Sequence, residues 1–383
     1  MNNISDLGVI GLAFLTSLVI AWLMFPPFIN LMEKYRILDK AGGRKIHTGY
    51  TAHMGGIVIG IAYGIGLLSM VFAYRQEVAI LRVLFFAIML GIMLFVGIRD
   101  DMNNLTPRMK LFFEIAVGIG MAFCGLKITD FTLWDPASPI HIPEWMSYII
   151  TIVVFVVICN AYNLIDGIDG QAGMQAIATL ISSFIFLYLY VRGTWTFELL
   201  TPTFVMLSCA AMMGAICGFL RFNWQKARVF MGDTGSLLIG TMLTINIIIC
   251  AKYAFAVTYQ SGVVTNPLKA VVMPFFCIFF LPLADTLRVF IGRVRRGKSP
   301  FDADKTHFHH LCIRFGYSHQ GCTMLSFTIS IGVSILAAIL AHYLTDLQML
   351  FAATAGWFLF VWIVKSRSRI RMKQLMRKNK EIK

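Results

Sequence analysis

Charge is scarce in this chain: of 383 residues only 14% are Asp, Glu, Lys or Arg, and no more than 19 are acidic. With 58% hydrophobic residues and apolar stretches near or above the ~20 needed to cross a bilayer core, the composition excludes a soluble globular domain. A multi-span membrane protein is expected. Paired cysteines are absent too. Cys124, Cys159, Cys209, Cys217, Cys250, Cys277, Cys312 and Cys322 are scattered, mostly inside apolar runs, with no CxxC. They read as small core residues, and neither a disulfide framework nor a zinc cluster is implied. No internal repeat or low-complexity linker divides the sequence, so one polytopic membrane domain is expected over 1–364, followed by a basic tail, 365–383. No basic residue precedes the first apolar run, Leu7 to Leu31, which also outlasts the apolar core of a signal peptide. A retained first span is expected.

Apolar windows fall near 7–31, 55–74, 80–98, 111–126, 147–165, 172–191, 198–220, 234–251, 269–291, 322–343 and 347–364. The expected fold is therefore an all-α integral membrane protein of about 11 transmembrane helices, 10 if the weakest window is dropped. Lys and Arg gather in alternate connections, as topology requires: 27 of the 33 lie in 32–54, 99–110, 221–233, 288–321 and 365–383. This predicts an N-terminus outside and a cytoplasmic C-terminus. The net charge of +14 is explained by this topology and by anionic headgroups rather than by nucleic acid. The polar segment 127–146, with Trp134, Pro136, Pro139, Pro143 and Trp145, fits an interfacial connection on the outer face. It is also a candidate contact with a partner or with a second copy of the chain, as in a homodimer.

The same topology places every unusual polar cluster at the cytoplasmic ends of helices. These clusters are Arg99-Asp100-Asp101 with Lys110, Asn160 through Gly170, Arg221 through Ser236, and Asp285 through His310. A transporter carries its ionisable groups deeper, along a path; only Glu114 and a few Gly-rich stretches hint at that. The pattern favours an enzyme at the interface, acting on one soluble and one lipid substrate. Asp100, Asp101, Asp166, Asp169 and Asp233 come from three separate connections and would repel one another in one cleft unless a cation neutralised them. An all-oxygen set of ligands suggests Mg2+, which keeps waters and bridges to substrate phosphates. The competing reading is that these carboxylates cap helices, Asp233 before the run 237–250 and Asp100 and Asp101 at the end of a span. His307, His309 and His310, with Arg293, Arg295, Arg296, Lys298 and Lys305 nearby, suit a pyrophosphate better than a transition metal. Gly292 to Ser299 satisfies the letters GxxxxGKS, but a membrane-length apolar run precedes it and Pro300 follows, so it is not a phosphate-binding P-loop.

Taken in order, DD, NAxNxxDGxDG, FxxFN with FMGDxGS, and PxxDTxRV with RGKSPFxxDxxHxHH resemble the polyprenyl-phosphate N-acetylhexosamine-1-phosphate transferases of bacterial envelope synthesis. The resemblance covers nearly the whole chain. It is closest to the branch that moves N-acetylglucosamine 1-phosphate from UDP-N-acetylglucosamine to undecaprenyl phosphate, releasing UMP and starting an envelope polysaccharide. The peptidoglycan branch reads HHHxE in the last cytoplasmic loop, whereas this chain has His307-Phe308-His309-His310-Leu311. The resemblance implies an enzyme of the cell inner membrane, facing the cytoplasm, with Mg2+ as cofactor and Mn2+ as its substitute. It implies Asp233 as principal metal ligand, aided by Asp101 and Asp166, and Asp100, Asp101, Asp166, His309 and His310 as catalytic groups. Substrate would be bound by Lys110, Asn163, Gly167, Ile168, Asp169, Phe230 and His307, with Arg296 and Lys298 toward the pyrophosphate and Lys45, His47 and the Met54-Gly55-Gly56 run in the nucleotide-side wall. A sister transferase using another UDP-N-acetylhexosamine, the muramoyl-pentapeptide substrate, and an organic-anion transporter are the alternatives.

Overall fold

The computed structural model describes residues 3–40, 50–73, 80–135, 138–190, 202–224, 226–260, 268–299 and 306–381. Lys45 and His47 of the first connection, and Lys305, lie outside the described residues. The architecture is all-α, as expected. Among the described residues seven helices are long and apolar enough to cross a membrane, including Leu7–Lys34, Gly232–Tyr259 and Asp346–Ser368. In chain order the helices are α1 Asn3–Lys34, α2 Gly56–Ala73, α3 Ile80–Asn103, α4 Pro107–Phe123, α5 Glu144–Ile165, α6 Gln171–Tyr190, α7 Pro202–Asn223 and α8 Gly232–Phe255. They continue as α9 Met273–Ile278, α10 Phe280–Arg295, α11 Phe308–Arg314, α12 His319–Leu340 and α13 Asp346–Glu381. Among the described residues two small antiparallel pairs interrupt them: β1 Leu38–Lys40 with β2 Tyr50–Ala52, and β3 Asp130–Phe131 with β4 Ile140–His141.

The bundle is organised around α8. Its most apolar stretch is wholly buried, whereas only about a tenth of the corresponding stretch of α13 is. A helix apolar on every face belongs inside, and α8 packs on α2, α3, α5 and α6. Membrane interiors offer no hydrophobic drive between helices, so close backbone approach at small residues supplies the contact. Gly214 and Gly218 of α7 do this against α1: a Cβ on Gly214 would lie 2.1 Å from the Phe14 carbonyl oxygen, and one on Gly218 2.5 Å from the Ala21 Cβ.

The apolar window 269–291, expected as one span, is two helices broken at Phe279. Pro274 and Pro282 lie in the first turns of α9 and α10, where a missing backbone donor costs nothing. A continuous hydropathy signal does not register such a break.

Candidate active site at one end of the bundle

The first turn of α8 is the anchor. Its opening N–H groups need acceptors, and Asp101, near the end of α3, supplies them from a different helix. Oδ1 accepts the Asp233 N–H at 2.8 Å, while Oδ2 accepts the Thr234 N–H at 3.0 Å and the Thr234 hydroxyl at 2.5 Å. His53 Nδ1 stands 3.6 Å from Oδ1. Gly232, at φ +70°, makes the turn; a Cβ there would sit 2.4 Å from Asp101 Oδ2. Glycine also lets two neighbours close in. A Cβ on Gly56 of α2 would fall 2.1 Å from the Gly235 nitrogen, and one on Gly97 of α3 2.4 Å from the Thr234 Cα. The backbone carrying Asp233 is thus clamped from two sides.

Adjacent residues on a helix point about 100° apart, so Asp100 faces elsewhere. Its Oδ1 accepts the Leu105 N–H at 2.7 Å, closing the α3–α4 turn. Pro107 opens α4 behind the capping hydroxyl of Thr106, and one turn later Lys110 extends its ammonium to within 2.5 Å of both Asp100 Oδ2 and Asp233 Oδ2. Three expected site residues, from three elements, meet at one positive charge. Beside them Asn163 donates to the Ser236 hydroxyl at 2.8 Å. Glu114, one turn beyond Lys110 and 1% exposed, accepts from Asn160 at 2.6 Å.

A second group lies around the loop that ends α5. Asp166 is the C-terminal cap of α5 and is half-buried. Gly167 is exposed, and a Cβ on it would stand 2.2 Å from His309 Nε2, so the imidazole lies directly on its backbone. Ile168 turns inward to pack with Leu281, Phe308 and Leu311. Asp169 is buried, its Oδ2 accepting the Ala227 N–H at 3.2 Å and its carbonyl accepting the Thr323 hydroxyl at 3.3 Å. Asn223 ties the two connections together, accepting from the Gly170 N–H at 2.7 Å and donating to the Val229 carbonyl at 2.8 Å. The Phe230 backbone bonds to Ala52 at 2.8 Å and to Gly55 at 2.9 Å, which brings the Met54-Gly55-Gly56 run alongside. His307 and His309 are both buried, their rings parallel and 6.0 Å apart, and His310 lies 4.2 Å from His309. Burial, then the neighbouring His310 and His307, pushes the His309 imidazole down to about 3, so it is neutral near pH 7. Arg296 and Lys298 are exposed at the C-terminal end of α10.

Of the carboxylates expected on a metal, Asp233 has its side chain at the Lys110 ammonium, where Asp100 joins it, whereas Asp101 is spent on the α8 backbone. Among the described residues no group of three His, Cys, Asp or Glu is arranged to hold a metal ion. Two carboxylates converging on one cation still suit Mg2+, which takes one or two protein oxygens and completes its shell with water and phosphate. Asp101, expected as a cap at the end of its own span, instead caps the first turn of α8. The capping reading fails for Asp233, which lies inside the first turn of α8 with Met231 as the N-cap residue.

Sequence reasoning assigned no individual role to Thr234, Ser236, Asp285 or Arg288, although the motifs that hold them stood out. The signal for the first two was their place in the Asp-Thr-Gly-Ser run. For the last two it was an Asp and an Arg three residues apart, on one face of a helix leading to the histidines.

The sequence profile of glycosyl transferase family 4 matches residues 81–251. That range holds Asp100, Asp101, Lys110, Asn163, Asp166 and Asp233. A probable undecaprenyl-phosphate N-acetylglucosaminyl 1-phosphate transferase of Bacillus subtilis is 30% identical over 334 residues, 86% of this chain and 85% of its own length. The undecaprenyl-phosphate alpha-N-acetylglucosaminyl 1-phosphate transferase of Escherichia coli is 26% identical over 367 residues, 92% of this chain and 91% of its own. A decaprenyl-phosphate N-acetylglucosaminephosphotransferase of Mycobacterium tuberculosis is 27% identical over 337 residues, covering 84% and 79%.

Proposed function

This chain belongs to the polyprenyl-phosphate N-acetylhexosamine-1-phosphate transferases of glycosyl transferase family 4, and on that premise we propose that it transfers N-acetylglucosamine 1-phosphate from UDP-N-acetylglucosamine to undecaprenyl phosphate. A phosphate oxygen of the lipid attacks the phosphorus that bears the sugar, the bond to the bridging oxygen breaks, and UMP leaves with that oxygen. The product is undecaprenyl diphosphate carrying the sugar. The observation that carries this reading is the Lys110 ammonium held between Asp100 and Asp233 at 2.5 Å from each. It is a fixed positive charge at a helix-end site, where two anionic phosphates must be brought together.

The chain's part is positioning and charge. Lys110 contacts phosphate. Asp101 holds the first turn of α8 so that Asp233 stays aimed. Asp100 and Asp233 are the groups that would hold Mg2+, or Mn2+ in its place; the ion, when bound, would neutralise phosphate charge. Asp166, with the Gly167 and Ile168 backbone, Asp169 and Phe230, lines the nucleotide side, and His307, His309 and His310 close the sugar-diphosphate side. A neutral His309 receives an anionic ligand as a hydrogen-bond partner. Asp100 is not needed as a strong base, because a phosphate dianion is nucleophilic near pH 7; single displacement is the simpler course, and a trapped aspartyl-phosphate on Asp100 would refute it. The Lys and Arg distribution supports a cytoplasm-facing site in the inner membrane.

Release of UMP by the purified protein in detergent, with undecaprenyl phosphate, Mg2+ and a panel of UDP-sugars, tests the proposal. Release with UDP-N-acetylglucosamine alone supports it. Release with another hexosamine replaces the sugar and keeps the reaction, and no lipid-dependent release with any sugar refutes both.

A further inference from the structure

Asp285 lies on α10, 7% exposed, and belongs to none of the groups assigned above. Its two oxygens do different work. Oδ1 takes the Arg288 guanidinium at 2.5 and 3.2 Å, and the same Arg288 nitrogen reaches the Thr306 carbonyl at 2.5 Å. Oδ2 accepts the Phe308 N–H, which opens α11, at 3.0 Å, and meets His307 Nδ1, also at 3.0 Å. A carboxylate only accepts, so the His307 proton sits on Nδ1. Both the start of α11 and the plane of the His307 ring are therefore set from α10. The His307 ring is parallel to that of His309, 5° between planes, and His309 lies against Gly167, where there is no room for a Cβ. One carboxylate thus reaches, through two histidines, the loop that ends α5.

We propose that Asp285, with Arg288, is a positioning residue for the sugar-nucleotide side of the site: it seats α11 and His307 so that His309 rests on Gly167 and joins the histidine loop to the Asp166–Gly170 loop. This rests on the transferase reading for its kinetic consequence, not for its geometry. Kinetics of UMP release are compared in wild type, Asp285→Ala and Asp285→Asn. The amide keeps an acceptor for the Phe308 N–H and loses the charge that orders His307 and Arg288. The expected result is a KM for UDP-N-acetylglucosamine raised about tenfold in Asp285→Ala and less in Asp285→Asn, with the KM for undecaprenyl phosphate within about twofold of wild type. A lower melting temperature with both KM values unchanged makes Asp285 a purely structural residue and overturns the proposal. If the alanine variant does not fold, the asparagine variant decides by the same split.

The geometry is read separately, without substrate, as disulfide formation in Gly167→Cys/His309→Cys protein under mild oxidation. Cross-linking slowed about fivefold or more by Asp285→Asn supports the positioning role; an unchanged rate overturns it. This arm stands even if the wild type releases no UMP, so failure of the reaction and failure of the positioning are told apart.

Discussion

The same device is built at both ends of the bundle and serves different ends. Away from the site Asp346, fully buried, accepts the N–H groups of Val271, Val272 and Met273 on Oδ1 at 2.8 to 3.1 Å, and the Thr132 N–H and hydroxyl on Oδ2 at 3.1 and 2.8 Å. At the site Asp101 accepts two N–H groups and a hydroxyl from the first turn of α8. Each is a carboxylate that caps a helix to which it does not belong, which suits both hydrogen bonding and the helix dipole. Around Asp346 the network closes on itself. Around Asp101 the capped turn carries a further carboxylate, Asp233, and that carboxylate meets a lysine and a second aspartate in a half-buried position. A buried carboxylate therefore does not mark a site. What marks one is a second layer of charge, fixed by the first and left within reach of a ligand.

Substitutions can break that contrast. Asp233→Ala removes the outer layer and leaves the cap: UMP release falls about 10^3-fold with little change in melting temperature, measured by turnover and by thermal unfolding in detergent. Lys110→Met leaves Asp100 and Asp233 facing each other without a counter-charge and lowers turnover about 10^2-fold; recovery of part of the loss by Lys110→Arg sharpens the assignment to charge. Asp101→Asn strikes the inner layer. Unfolding free energy falls about 1–3 kcal/mol, and turnover per folded molecule falls about tenfold as Asp233 loses its aim. Asp346→Asn also lowers stability by about 1–3 kcal/mol, yet turnover per folded molecule stays within about twofold of wild type. Equal losses of turnover in the last two variants would erase the distinction between staple and platform.

Most helices were legible because their signal is local: a long apolar run bounded by charge. The break at Phe279 was not, although Pro274 and Pro282 marked it, because an uninterrupted apolar window hides a change of direction. At the site the residue types were legible and their pairings were not. Nothing in Asp100-Asp101 tells which carboxylate faces Lys110 and which turns to α8; that follows from the azimuth of α3 against its neighbours. The glycines carried more than turns. Gly56, Gly97 and Gly167 are places where another backbone or a ring has taken the space of a side chain, and such contacts are long-range in sequence. Of the segment 127–146, expected as an outer connection, the described part is fastened into the bundle through Thr132, which also donates to the Lys269 carbonyl at 2.8 Å.

The enclosure of α8 bears on how the protein meets bilayers of different thickness. Hydrophobic mismatch acts on helices that touch lipid, through tilt and local thinning at a fraction of a kcal/mol per Å. Here the exposed apolar side chains lie on the outer helices, among them Trp22 and Leu23 of α1, Phe95 of α3, Phe112 of α4, Val153 of α5, Leu336 of α12 and Trp362 of α13. The α8 stretch meets protein on every side, so the depth of Asp233 is referenced to neighbouring helices and not to the acyl chains. A thicker or thinner membrane tilts the rim of the bundle while the charged platform keeps its level.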